Sequence, residues 1–261
     1  MTRRSSENRT GDHVRRWEAQ QGAYIRNRDQ RFAEMARTVA GLCSGLDRPP
    51  RVLDLASGPG SLGRAVLDAV PGARVVMADK DPALLALASD LHRDDSRVEV
   101  VAIDLADPGW TAAPVLDEPF DAVVSTTALH WLRPEDLVRV YFELSGMLRS
   151  GGVLLNGDHL HYDRNAEPVL RELALRDDAE QQRVEFSAGA ETWDDWWSAL
   201  AADPAYADVV RERERVWGDG LHEAPPPVTL GFHIEALRSA GFDQAGTVWQ
   251  VLDDYVVYGI R

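Results

Sequence analysis

The stretch Val52-Leu53-Asp54-Leu55-Ala56-Ser57-Gly58-Pro59-Gly60-Ser61-Leu62-Gly63 constrains the fold of this 261-residue chain more than any other. A short apolar run carrying an acid passes into a glycine-rich turn and then into a helix-compatible segment. Strand, tight loop and helix in that order let a backbone come close to a nucleotide-like ligand. Strand-like runs at 51–55, 73–79, 98–103, 120–125 and 152–156 alternate with helix-like segments at 62–69, 82–91 and 134–148. This alternation predicts an α/β fold with a doubly wound, mostly parallel sheet, which binds ligands at the carboxyl ends of its strands. The residues to watch are therefore 54–60, Asp79, Asp104, 125–131 and 158–162.

Around this core at 49–162 the chain divides by composition. Residues 1–12 are charged and polar and are expected to be a disordered tail. At 13–48 the apolar positions Val14, Trp17, Tyr24, Ile25, Phe32, Met35 and Val39 predict two helices broken near Gly22. Helix-like segments at 168–178, 192–202 and 206–217 make 163–228 a helical insertion longer than a connection between strands requires. At 229–261 a last helix precedes two β-rich runs, 247–252 and 255–260. Only Asp253-Asp254 separates them, which predicts an antiparallel hairpin.

With 43 acids against 28 bases the net charge is -15, which argues against a nucleic-acid partner. One cysteine, Cys43, excludes an internal disulfide framework and fits a reducing, cytoplasmic setting; it reads as a small core residue. No apolar run is long enough to span a membrane, and the polar stretch 1–12 gives no expectation of a targeting leader.

Asp54 lies four residues before Gly58, where a nicotinamide-binding loop usually runs apolar into its first glycine. A buried carboxylate there needs a partner. The ammonium of S-adenosylmethionine supplies one, and NAD has no such group. Asp79, 19 residues beyond Gly60, suits the ribose hydroxyls common to both cofactors. Asp104, at the third strand end, is placed to accept from an adenine amino group, with Ile103 and Leu105 beside the ring.

The segment 54–60 resembles the acidic-x-[Gly/Ala]-x-Gly-x-Gly signature of class I S-adenosylmethionine-dependent methyltransferases. Ala78-Asp79-Lys80-Asp81-Pro82 and Ile103-Asp104-Leu105 are similar to that family's second- and third-strand acids. Phe120-Asp121-Ala122-Val123-Val124-Ser125, followed by Ala128-Leu129-His130-Trp131-Leu132, resembles the fourth-strand motif of its small-molecule branch. The segments 148–153 and 237–242, with the terminal hairpin, resemble its closing elements. Ala56 departs from the commoner glycine, and Pro59 stiffens the loop. The resemblance implies a seven-stranded Rossmann-like sheet with Asp54, Ala56, Ser57, Gly58 and Gly60 around the methionine moiety. It also implies Asp79 on the ribose, Lys80 over one adenine face, Asp104 and Leu105 at the adenine, and the Ser125 backbone near the ammonium. The product is then S-adenosylhomocysteine. Asp81 reads as the cap of the helix starting at Pro82, and Asp121 as a structural acid.

Methyl transfer from a sulfonium is an in-line displacement that gains most from positioning and exclusion of water. A hydroxyl acceptor usually also needs a base. Asp158-His159-Leu160-His161-Tyr162 is the densest candidate cluster. If the fifth strand runs on to His161, His159 and His161 share a face, as a base or as a metal pair; no metal site is expected. His130 either faces the same pocket or caps the following helix. Trp131, Tyr162, Trp193 and Trp197 are the candidate walls of a partly apolar pocket for a small-molecule acceptor. Trp193, Trp196 and Trp197 share one helix face, which serves equally to glue the insertion down. Two alternatives stay open: an NAD-dependent oxidoreductase on the same glycines, and a cofactor-binding protein of this fold that transfers no methyl group.

Overall fold

Apolar residues on both faces of the central strands dictate a sheet covered on each side, and the chain supplies helices for both. The computed structural model describes residues 3–218, 220 and 225–261, with side chains from residue 9 onward. Two helices, α1 (Arg3–Tyr24) and α2 (Arg28–Cys43), precede β1 (Arg51–Leu55), α3 (Ser61–Ala69), β2 (Arg74–Asp79), α4 (Pro82–Leu91) and β3 (Val98–Ala102). Then come β4 (Phe120–Thr126), α5 (Pro134–Met147) and β5 (Leu148–His159). The helices α6 (Pro168–Ser187), α7 (Trp193–Ala202) and α8 (Ala207–Trp217) follow, and α9 (Leu230–Ser239), β6 (Gln244–Val251) and β7 (Asp254–Ile260) close the chain.

Among the described residues seven strands form one sheet in the order β3-β2-β1-β4-β5-β7-β6. The pairs among β1 to β5 are parallel, while β7 runs antiparallel to both β5 and β6. The order reverses between β1 and β4, which opens a crevice at their carboxyl ends. Alternate residues feed two cores. Val52, Met77, Val124, Leu155 and Val256 pack with Phe32, Met35 and Val39 of α2 and with Leu62 and Val66 of α3. Leu53, Val76, Val123, Leu154 and Val257 pack with Leu137, Tyr141 and Leu144 of α5 and with Leu237 of α9. Each such aliphatic side chain contributes about 1.5–3 kcal/mol when fully buried. A third cluster joins Trp17 of α1, Leu84 and Leu87 of α4, Trp196, Trp197 and Leu200 of α7, and Val210 of α8.

Four expectations are corrected here. Residues 3–12 are the first turns of α1 rather than a disordered tail; residues 1–2 lie outside the described ones. The tail's polar residues dock instead of solvating: Thr10 Oγ1 lies 2.7 Å from the Tyr206 hydroxyl, and Arg9 and His13 both reach Asp203. The N-terminal helices break at Asn27, in the left-handed region (φ 50°), not at Gly22. The fifth strand stops at His159 and leaves His161 beyond it. The hairpin turns at Leu252 (φ 52°) and Asp253, so Asp254 belongs to β7. Elsewhere Asp81 caps α4 by accepting from the Ala83 and Leu84 amides. Asp121 is structural, bound by the Arg48 guanidinium and the Arg51 amide. Cys43 is a buried core residue. No helix among the described residues is long and apolar enough to cross a membrane.

Candidate active site

At the end of β1 the backbone turns through three left-handed residues, Ala56 (φ 54°), Gly58 (φ 56°) and Gly60 (φ 90°). Only Ala56 has a side chain to strain there, at a cost of about 1–3 kcal/mol that the surrounding loop must offset. A Cβ on Gly60 would lie 2.6 Å from Met77 Sδ, and one on Gly63 would lie 2.8 Å from Asp54 Oδ2. Those two glycines are therefore required by packing within the protein. At Gly58 a Cβ would meet Leu84 and Trp17 at ordinary distance, so its left-handed φ is what demands glycine.

The acids at the strand ends are organised by backbone amides. Asp54 Oδ2 accepts from the Gly63 amide at 2.7 Å, in the first turn of α3. Its Oδ1 is buried and has no partner. Burial, reinforced by the nearby Asp79 and opposed by the Gly63 amide, pushes the Asp54 carboxyl up to about 7. Asp79 Oδ2 accepts from the Gly58 amide at 2.7 Å and Oδ1 from the Asp81 amide at 2.8 Å. Burial outweighs those bonds and raises Asp79 to about 6. Two buried carboxyls with such values, one with an orphaned oxygen, fit a ligand that brings a cation to β1 and hydroxyls to β2. Ser57 donates its amide to the Ala78 carbonyl and so ties the two loops together. Asp104 accepts from the Ala106 amide and lies 3.5 Å from Lys80 Nζ, while Leu105 is buried below it.

A second centre stands at the ends of β4 and β5. Asp158, fully buried, faces the α5–α9 side of the sheet, and His130 reaches it from the short helical turn after β4. His130 Nδ1 lies 2.6 Å from Asp158 Oδ1, and the His130 amide donates to Oδ2. Burial disfavours the Asp158 carboxylate, yet His130, with Arg31 and His159 further off, holds its carboxyl below the usual range. Trp131 is half exposed against the His130 ring, with centroids 5.1 Å apart. Ser125 Oγ and both amide atoms of Asn156, paired in register across β4 and β5, are buried without partners beside this centre.

Comparison with known proteins covers the first centre and His130 of the second. A family model for a methyltransferase domain matches residues 52–152, which hold the glycine loop, Asp79, Asp104 and His130. Residues 52–152 thus match a methyltransferase domain. It is 30% identical over 161 residues to trans-aconitate 2-methyltransferase of Streptomyces avermitilis, covering 60% of this chain and 56% of that protein. It is 35% identical over 126 residues to the enzyme of that name from Mycobacterium tuberculosis, covering 47% and 42%. The chain thus spans about half the length of the curated relatives it matches. The solved structure of PigF with SAH superposes at a TM-score of 0.51 with 18% identity, over 86% of this chain and 54% of that one. That likeness concerns the fold.

Beyond the matched segment the other sequence candidates scatter. Gly157 packs on Arg31, so by alternation His159 faces α2, on the opposite side of the sheet from Asp158 and His130. Burial, with Arg31 nearby, lowers His159 to about 4 and keeps it neutral. His161 is half exposed and bonds Asp253. His159 and His161 therefore do not form a pair, and among the described residues no group of three metal-binding side chains exists. Tyr162 is buried beside Tyr255. Trp193 and Trp197 pack with Trp17 over the β1 loop rather than beside His130.

Sequence reasoning missed the ion pairs beneath this end of the sheet. Arg31 is fully buried and bonds Asp254 at 2.6 Å. Arg26 bonds both Asp253 and Asp177. Burial raises Asp254 to about 6 despite Arg31. His233, with its Nδ1 2.6 Å from the Tyr141 hydroxyl, is also buried and lowered to about 4 by desolvation. The consecutive acids 253–254 looked like turn residues, and nothing local singled out Arg26 or Arg31. A cleft of about 520 Å³ opens next to these pairs, between the α1–α2 turn and α6, lined by Ile25, Asn27, Arg28, Asp177 and Val184.

Proposed function

We propose that the protein transfers a methyl group from S-adenosylmethionine to a small, partly apolar metabolite whose acceptor atom carries a proton. The observation that carries the reading is the orphaned, buried Oδ1 of Asp54 at the head of a loop whose neighbours, Gly58 and Asp79, are already bonded to each other. A methionine ammonium fits that oxygen, directly or through water, and restores a charge balance that burial disfavours. Asp79 holds the ribose hydroxyls, and Lys80, Asp104 and Leu105 surround the adenine. Ala56, Ser57 and Gly58 line the methionine end, Gly60 sets the turn behind them, and the Ser125 backbone lies near the ammonium. S-adenosylmethionine supplies the activated methyl and leaves as S-adenosylhomocysteine. The strong leaving group shifts the protein's task to orientation and exclusion of water.

His130 is the general base in this reading. The buried carboxylate of Asp158 fixes Nδ1 and favours the protonated ring that forms when Nε2 takes the acceptor's proton. This is the arrangement by which a buried acid orients a catalytic histidine. Trp131 forms part of the acceptor wall. The N-terminal helices and the insertion 163–228 form the cover, with Trp193 and Trp197 seating it over the β1 loop. His159 and His161 are assigned structural roles, since one is neutral beneath the sheet and the other serves Asp253.

The test is formation of S-adenosylhomocysteine over a panel of phenols, alcohols, amines and carboxylic acids. trans-Aconitate is included because of the relatives named above. Turnover of one acceptor class by the wild type, lost in His130→Ala, supports the proposal. Silence across the panel despite cofactor binding favours a protein of this fold that transfers no methyl group.

A further inference from the structure

The helical insertion reaches the cofactor end of the site through one helix, α8. Trp217, the last residue of α8, lies under the Lys80 ammonium, 4.0 Å from the ring centroid. Its indole Nε1 donates to Asp81 Oδ2 at 3.0 Å, and Arg213 Nε donates to the same oxygen at 2.7 Å. The Arg213 guanidinium stacks 3.7 Å from the Trp197 ring, which belongs to the cluster covering Gly58. Asp81 is 2% exposed, and its amide donates to the ribose acid Asp79. Its Oδ1 is committed to the cap of α4, while Oδ2 takes both bonds from α8 and so ties that helix to the β2 loop.

Asp79 at the end of β2 sets the ribose position, which sends the base of an adenosine outward toward the end of β3. Lys80 and Asp104 mark that place, 3.5 Å apart, and Trp217 is the aromatic face beside it. We propose that Trp217 is an adenine-contacting residue supplied by the insertion. Arg213 and Asp81 hold it in place, so that cofactor binding and the seating of α8 are one linked equilibrium. This inference rests on the cofactor reading above and adds to it a wall that does not come from the α/β core. It also gives the reaction an order: the cofactor seats the insertion before the acceptor pocket is complete. A stacked indole accounts for the residue type here, since a purine offers it a large flat surface and Trp217 is only partly buried in the ligand-free structure.

The test is calorimetric binding of S-adenosylhomocysteine and of adenosine alone to the wild type, Trp217→Ala and Trp217→Phe, with amide exchange followed across α8. Trp217→Ala is expected to weaken both ligands by the same factor, about tenfold or more, as loss of an aromatic–base stack does. Trp217→Phe, which keeps a ring but gives up the Nε1 bond to Asp81, should weaken both ligands less than Trp217→Ala does. S-adenosylhomocysteine should slow exchange along α8 in the wild type and not in Trp217→Ala. Wild-type binding with Trp217→Ala unchanged for both ligands overturns this inference alone. A wild type that binds neither ligand removes the cofactor reading and this one with it.

Discussion

The two ends of the crevice are built in opposite ways. At β1 and β2 the acids are held by backbone amides of the same two strand-end loops: Asp54 by Gly63, Asp79 by Gly58 and Asp81. At β4, β5 and β7 the charged groups are held by side chains from distant segments: His130 on Asp158, Arg31 on Asp254, Arg26 on Asp253 and Asp177. The first end is built on the backbone of the β1 and β2 loops, to which α8 is tied through Asp81. The second exists only once the N-terminal helices, the hairpin and α6 have assembled around the sheet. The difference teaches that the donor's site and the acceptor's site answer to different parts of the chain and can be damaged separately.

Substitutions can break that separation or sharpen it. The largest effect is expected at the second end. His130→Ala should lower kcat by about 10²–10⁴-fold while leaving S-adenosylhomocysteine affinity unchanged, checked by turnover and calorimetry on the same preparation. Next, Arg31→Met leaves Asp254 buried and uncompensated, and should cost about 3–5 kcal/mol in denaturant unfolding. Gly60→Ala attacks the first end by steric overlap with Met77 at a left-handed residue, at about 1–3 kcal/mol in the same unfolding measurement. It should also weaken cofactor binding, which Arg31→Met should do only through its lower stability.

The smallest effect is a pH dependence confined to the first end. Asp54 titrates near 7 in the folded chain, above its ordinary 3.8. Its contribution to stability is therefore full below about pH 4 and is lost as pH rises through 7. The ligand-free wild type should lose stability relative to Asp54→Asn between about pH 6 and 8, by about 1 kcal/mol. Affinity for S-adenosylhomocysteine should move the other way and rise by about tenfold over that interval, because the ammonium requires the carboxylate. Asp54→Asn should flatten that slope, which calorimetry at two pH values measures.

The first end was legible in the sequence because each of its parts is a short local motif at a strand end. The strand, the glycines, the acid at Asp54 and the cap at Asp81 are local chemistry, and the structure bears out the strands and the cap. The second end was only half legible. His130 stood out as a candidate, but its partner is fixed by register, Thr126 opposite Gly157, which no local pattern reports. Arg26, in the turn between α1 and α2, and Arg31, on α2, pair with Asp253 and Asp254 of the hairpin, more than two hundred residues away. The same is true of residues 9–13, whose polar side chains close onto Asp203 and Tyr206 of the far insertion. The tryptophans at 193, 196 and 197 were read correctly as a helix face, while the side they cover depended on Trp17.

The central claim is that the loop at 54–60 holds S-adenosylmethionine rather than a nicotinamide dinucleotide. Titration of the purified chain with S-adenosylhomocysteine and, separately, with NADH tests it most directly. Saturable binding of S-adenosylhomocysteine, weakened by Asp54→Asn, with no binding of NADH is the predicted result. Saturable binding of NADH with none of S-adenosylhomocysteine would contradict it.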